Sequence, residues 1–407
     1  MKPVIFLFDL DGVLVRPGGY RAAVQATVNH FARWLGLPEA APSEETIAIF
    51  EAQGITGEWD MIPLTLAILL DTAAGFSPAG SFSSLDSIRA QVRSSPLPDL
   101  RVDYAPAIRR LGAYLQPGEA PADVFLAACQ SGQARDLFPN LRGQFILTEL
   151  LANTRKLGLS ATTRIFEHLV LGHEVYQQSL GLPVEIQSIS YLSAHDRPLL
   201  TPAARGRLLD LRAQAGLRMA AYTARPSAWQ GQWSDGESLP AMFAPEAEMA
   251  LQLVGMETIP LVGYGQMGGL ALQLGLTEEA LLKPSPFHSM AAIAAAWTGD
   301  RPAALAWLGQ VFTSIQHGQP RPGLATPAGP LPPAADVHIF EDSSLGMAGG
   351  KQAVQLLQDL GMTIDLHLWG VATHAEKVIA LQAVGASIVF SDVNQAVEHA
   401  LQISTDR

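Results

Sequence analysis

Two carboxylates, Asp9 and Asp11, follow the apolar run Val4-Ile5-Phe6-Leu7-Phe8, and Gly12 closes the pair. Three later places carry polar groups of matching kind. Thr223 and Arg225 follow an apolar run at 217–222, Lys283 stands before Pro284 and Pro286, and Glu341 with Asp342 ends a run at 337–340. Acids from neighbouring strand ends make a cage of hard oxygens, which suits Mg²⁺ rather than zinc. A hydroxyl, a lysine and an arginine around that cage would hold a phosphoryl group and the charge that develops as it moves. In such a cage the acids of Asp-x-Asp divide the work. Asp9 would attack phosphorus to form an aspartyl phosphate. Asp11 would protonate the leaving oxygen and later activate water.

The elements that position these groups follow from periodicity. Five apolar residues in a row read as a strand buried on both faces, as in a parallel sheet. In an open α/β sheet, ligands sit beyond the carboxyl ends of the strands, where all of these groups would lie along one edge. After Val15 the pattern becomes helical as far as about residue 182, with apolar spacing at 20–35, 44–53, 61–73, 85–92, 105–115, 121–131, 147–157 and 161–180. Gly/Pro-rich breaks at 75–84 and 94–98 separate some of them. Strand and helix alternation resumes near Leu200. Thr201 and Pro202 open a helix over 202–215, and helices are expected at 246–254, 287–297, 303–316, 345–360, 375–384 and 392–402. Strands are expected at 217–222, 259–262, 337–340, 366–371 and 387–390. The spacing therefore predicts an α/β fold: a Rossmann-like, doubly wound parallel sheet from residues 1–15 and 200–407. An enlarged, mainly helical domain, 16–199, is inserted after its first strand. Segments 227–245 and 318–335 read as flexible insertions, the latter with six prolines and three glycines.

Composition narrows the partners. A net charge of -12 argues against nucleic acid and anionic membrane, which need a basic face. No long apolar span and no leader pattern is visible, and the one cysteine, Cys129, reads as a packed thiol in a cytoplasmic protein. A small organic phosphate ester is the expected partner. The ten histidines show no metal-ligand spacing, and only His374, after a strand end, stands near the chemistry.

Asp9-Leu10-Asp11-Gly12, Thr223, Lys283-Pro284-Ser285-Pro286 and Phe340 through Gly346, in this order, resemble the four motifs of the haloacid dehalogenase (HAD) superfamily. The lysine motif is similar to that of phosphoglycolate phosphatase relatives, and the Glu-Asp form of the last motif to the β-phosphoglucomutase branch. The resemblance covers about half the chain. It implies that Asp9, the backbone carbonyl of Asp11 and Asp342 bind Mg²⁺, with Glu341 as a further ligand, and that the helical insertion is a cap of the C1 type. Thr223 lies 212 positions beyond Asp11, so this cap is enlarged.

Other roles fit some of these residues. Asp-x-Asp-Gly is also a fragment of a calcium loop, but such a loop wants a preceding helix. Glu341 would also favour the helix that follows it. Lys283 alone would read as a surface lysine and Thr223 as a cap, while Arg225 reads equally as a substrate contact or a salt bridge. In the cap, the turn at 54–60 offers Gly57, Trp59 and Asp60 to substrate, or else Trp59 staples two helices. The expected activity is a Mg²⁺-dependent phosphomonoesterase; a sugar phosphomutase or a binding protein on the same fold are the alternatives.

Overall fold

The computed structural model describes residues 2–76, 84–94, 100–115, 119–231, 233, 238–317 and 331–405. The chain forms two compact units. Met1–Pro17, Asp196–Gln232 and Met242–Arg407 make one, and Gly18–His195 with Trp233–Ala241 make the other.

In chain order the strands of the first unit are β1 (Val4–Phe8), β2 (Val15–Arg16), β3 (Arg197–Pro198), β4 (Arg218–Tyr222), β5 (Leu261–Val262), β6 (Ala334–Glu341), β7 (Thr363–Val371) and β8 (Ile388–Phe390). Six of them form one parallel sheet in the order β5-β4-β1-β6-β7-β8, while β2 and β3 make a separate antiparallel ladder. The first strand is therefore central. The winding runs outward from β1 through β4 and β5, then resumes on the other side with β6, and a crevice opens at the carboxyl end of such a reversal.

Helices cover both faces, which is why Val4–Phe8 is apolar throughout rather than alternating. Phe6 and Phe8 join a cluster with Met219, Phe340 and Trp369 beneath the helices Pro202–Ala213, Glu246–Val254 and Val393–Thr405. By alternation Ile5 and Leu7 face the other layer, where the alanine-rich helix Pro286–Thr298 packs on β1 and β4 and the helix Ser344–Asp359 packs on β6. Small side chains let that layer approach closely. At Gly350 an added Cβ would stand 2.7 Å from Ile339 Cδ1.

The second unit is helical, from Gly19–Leu35 to Tyr191–His195. Its helix Glu58–Ala74 is buried over almost its whole circumference, as a helix apolar all round must be. Ser43 and Ser160 cap two others, accepting from the Thr46 and Thr163 backbone N–H groups. Among the described residues no helix is long and apolar enough to cross a membrane.

Several expectations need correction. The stretch 161–180 is two helices, because Gly172 takes φ 79° and its α-carbon lies so near Ser190 that a Cβ would sit 2.7 Å from that residue's nitrogen. The helix expected over 147–157 ends at Leu151. The helix Tyr264–Gln273 is not among the expected elements, since three glycines interrupt its apolar spacing. All three serve contact: a Cβ at Gly265, Gly268 or Gly269 would meet Ser227, Met242 or Trp229 within 2.6 Å. Part of the segment read as a loop at 227–245 pairs inside the helical unit, where Leu157 N–H donates to Leu239 O and Ala241 N–H to Arg155 O. Of the proline-rich segment, 318–330 lie outside the described residues and Ala334 already belongs to β6. Residues 77–83 and 95–98 of the expected helix breaks also lie outside them.

On β6 and β7, Asp336, His338 and His367 bring ligand-type atoms within 4.8 Å of one another. The Trp369 indole N–H donates to His338 Nδ1 at 3.0 Å, and His338 Nε2 lies 3.5 Å from Asp336 Oδ1. His367 Nε2 lies 3.1 Å from the same oxygen.

His288 is buried in the alanine-rich helix, its Nε2 against Val262 O at 3.0 Å, and burial followed by the nearby Lys283 charge lowers its pKa to about 3. The imidazole is neutral in the fold and takes a proton only on unfolding at mildly acid pH. Its contribution is present above the unfolded pKa and lost as pH falls toward 3. Between about pH 6 and 4 wild type should lose roughly 1.4 kcal/mol per pH unit more than His288→Gln in urea titrations. Parallel slopes for the two proteins would contradict this.

Candidate active site

The carboxyl ends of β4, β1 and β6 are level, since Phe8 pairs with Ala221 on one side and Phe340 on the other. Asp9 N–H donates to Phe340 O at 3.1 Å and Thr223 N–H to Val262 O at 3.0 Å, so both residues extend the sheet by one position. After Asp9 the chain turns sharply. The N–H groups of Val13, Leu14 and Val15 all reach Leu10 O, and Gly12 N–H donates to Val15 O at 2.8 Å.

Gly12 has φ 75°, a left-handed conformation. A Cβ there would stand 2.2 Å from Asp342 Oδ2, so the backbone of the Asp-x-Asp loop lies directly against that carboxylate. Ligand oxygens of Asp9, Glu341 and Asp342 fall within 4.8 Å of one another. Carboxylates this close and this buried need positive charge.

Lys283 supplies part of it. Its Nζ lies 2.8 Å from Asp9 Oδ1 and 2.6 Å from Glu341 Oε1, and 3.9 Å over the Tyr222 ring. The loop carrying it is seated tightly, with the Pro284 carbonyl 2.8 Å from where a Cβ on Gly349 would be. Glu341 is wholly engaged. Lys283 and the Tyr222 hydroxyl donate to Oε1, and Asp342 N–H, Ser343 N–H and Ser343 Oγ to Oε2. That makes it the holder of the lysine and of the β6 loop, whatever else it does. Asp342 Oδ2 meets Lys377 Nζ at 2.6 Å.

The electrostatics follow from this count of charges. Burial, then the Glu341 charge, raise the Asp9 pKa well above the ordinary carboxylate value, against the pull of Lys283. Burial alone would lower Lys283, but Asp9 and Glu341 outweigh it and hold the ammonium protonated. Burial also raises Asp342, opposed chiefly by Lys377. Two acids share one buried ammonium, so the site is short of positive charge.

Asp11 and Arg225 form the second half of the site. Arg225 Nε lies 2.9 Å from Asp11 Oδ2, and its Nη2 2.5 Å from Asp11 Oδ1 and 2.9 Å from Asp196 Oδ2. Arg225, which reads equally as a substrate contact or a surface salt bridge, forms ion pairs with two carboxylates but is buried, 3% exposed. Thr223 is buried and its Oγ1 accepts from Arg225 N–H at 3.1 Å.

Gly57, Trp59 and Asp60 belong to the helical unit. The Trp59 indole N–H donates to Glu167 Oε1 at 2.9 Å. Asp60, 1% exposed, takes the Ala122 N–H and pairs with Arg155 at 3.0 Å. Both side chains are internal ties: Trp59 staples two helices, as one of its two readings has it, and Asp60 is engaged within the unit; Gly57 opens their helix. Asp196, Tyr222 and Lys377 went unnoticed, because none sits in a motif and each gains meaning only from a partner distant in sequence. His374, the helix N-cap residue before Ala375, is exposed.

Gly12→Ala would force a side chain into Asp342 at a left-handed φ. We expect a stability loss of about 1–3 kcal/mol, read from the urea midpoint at constant slope. An unchanged midpoint would show that the loop does not press on Asp342.

No protein-family model and no curated protein matches the chain. Solved structures do. One is an X-ray structure from the Northeast Structural Genomics Consortium, 13% identical with TM-score 0.62, covering 99% of this chain and 100% of that one. The phosphatase Tt82 from Thermococcus thioreducens is 15% identical with TM-score 0.42, over 98% of this chain and 99% of its own. A hydrolase from Pseudomonas syringae is 11% identical with TM-score 0.30, over 99% of each chain. At these identities the likeness is one of fold, and it rests on the first of the three.

Proposed function

We propose that the protein is a Mg²⁺-dependent phosphatase acting on a small organic phosphomonoester through an aspartyl phosphate on Asp9. The observation that carries this reading is the meeting of Asp9, Glu341 and Asp342 around too little positive charge. The donor set fits the ion: hard carboxylate oxygens, with a glycine backbone against one of them. Asp9, the Asp11 carbonyl and Asp342 would hold it, and Glu341 would act beside them as the anchor of Lys283. Bound there, Mg²⁺ would neutralise the acids and draw charge from the phosphoryl oxygens.

The remaining steps belong to the chain's own groups. Leu10 N–H and Lys283 both donate to Asp9 Oδ1, which leaves Oδ2 as the attacking oxygen. Lys283, fixed by Glu341 and Tyr222, faces the charge that builds on the transferred group, and Thr223 offers its hydroxyl. Arg225 occupies both oxygens of Asp11, so that carboxyl leaves the guanidinium before it exchanges a proton with the ester oxygen or with water. Asp196 stays behind as the counter-ion of Arg225, so no buried cation is stranded. The helical unit is assigned the choice of ester, as the cap of this scheme.

The test is turnover of p-nitrophenyl phosphate and a panel of phosphorylated metabolites with Mg²⁺ present. Asp9→Asn should lower it by on the order of 10³-fold or more. Equal turnover by the two proteins would overturn the assignment, and phosphate moved to a second position of a sugar instead of water would favour a mutase.

A further inference from the structure

We infer that Lys377 is a displaceable counter-ion of the acid cluster: its ammonium holds the Asp342 oxygen that a divalent cation needs, and thereby sets how tightly that cation binds. This rests on the metal reading proposed above. Two lysines serve the three acids, yet they are held differently. Lys283 has a side chain only 10% exposed, clasped by Asp9, Glu341 and the Tyr222 ring. Lys377 has a side chain 53% exposed, and among its described contacts one ion pair, to Asp342, fixes its head. A half-exposed pair on a flexible stem is weakly held.

The oxygen concerned is the telling detail. Lys377 meets Oδ2 of Asp342, and Oδ2 is the atom that lies against the Gly12 backbone. The ammonium therefore holds the oxygen nearest the loop that would supply Asp9 and the Asp11 carbonyl.

Neither composition nor helix stability explains the placement. The chain has only five lysines, and two of them are on these acids. Lys377 stands in the first turn of the helix Ala375–Ala383, where the aligned backbone N–H groups disfavour a cation. Its charge suits Asp342, not its own helix. An ion that must first displace this contact binds more weakly by the reciprocal of the fraction of molecules in which the contact is open.

The experiment is calorimetric titration of Mg²⁺ into the full-length protein, with no substrate present. Lys377→Gln should tighten the dissociation constant by roughly 5-fold or more. Lys377→Arg keeps the charge but grips a carboxylate with two donors, and should weaken binding relative to wild type. Unchanged or weaker binding by Lys377→Gln would overturn the inference, since the lysine would then be idle or would orient Asp342 for the ion. Tighter binding by Lys377→Gln with Lys377→Arg equal to wild type would also overturn it, leaving only long-range charge. Asp342→Asn, which should abolish the heat in each background, ties the signal to this site. Absence of Mg²⁺ uptake by wild type and Lys377→Gln alike would instead remove the metal reading, and the inference with it.

Discussion

A shortage of positive charge among converging carboxylates is the constraint on which the rest of the first unit depends. Asp9 and Glu341 are both buried and share the ammonium of Lys283, and Asp342 draws a second from solvent-exposed Lys377. An arrangement that served stability alone would replace such acids with well-packed apolar side chains. Their retention at the reversal of the sheet makes sense if a cation and a phosphoryl group complete the balance during work. The raised Asp9 pKa expresses the same imbalance.

The scaffold exists to hold that imbalance still. Placing β1 between β4 and β6 puts the Asp-x-Asp loop between Thr223 and the Glu341-Asp342 pair, and both-face burial leaves the strand no freedom to slip. Glycines then set the close distances. A Cβ at Gly12 would overlap Asp342, and one at Gly346 would lie 1.8 Å from Glu341 Oε1. Arg225 does for Asp11 what Lys283 does for Asp9, with Asp196 as the second acid on the arginine and Glu341 on the lysine.

Much of this is legible in the sequence because each element carries its own signal. Val4–Phe8 reads as a two-faced buried strand from composition alone, and polar groups directly after apolar runs mark the sheet edge. The parallel sheet followed from that alternation. What stayed hidden depends on partners far along the chain. Lys377 is an unremarkable helical lysine until Asp342 is beside it, and Asp196 lies in a stretch without periodicity. The helix Tyr264–Gln273 escaped notice because glycines chosen for contact with Ser227, Met242 and Trp229 blur its apolar stripe. Asp60 misled in the opposite direction, while Trp59 staples two helices as one of its readings has it. A polar turn between helices suggested exposure, whereas Asp60 is drawn inward by Arg155 and the Ala122 N–H.

The central claim is that Asp9 is the atom bearer of the transferred phosphoryl group. Rapid quenching of the protein during turnover, borohydride reduction and peptide mass spectrometry address it directly, because reduction converts an aspartyl phosphate to homoserine. The account predicts homoserine at position 9 and at no other acid. Turnover with an unmodified Asp9, or with the mark on Asp11 or Asp342, would contradict it.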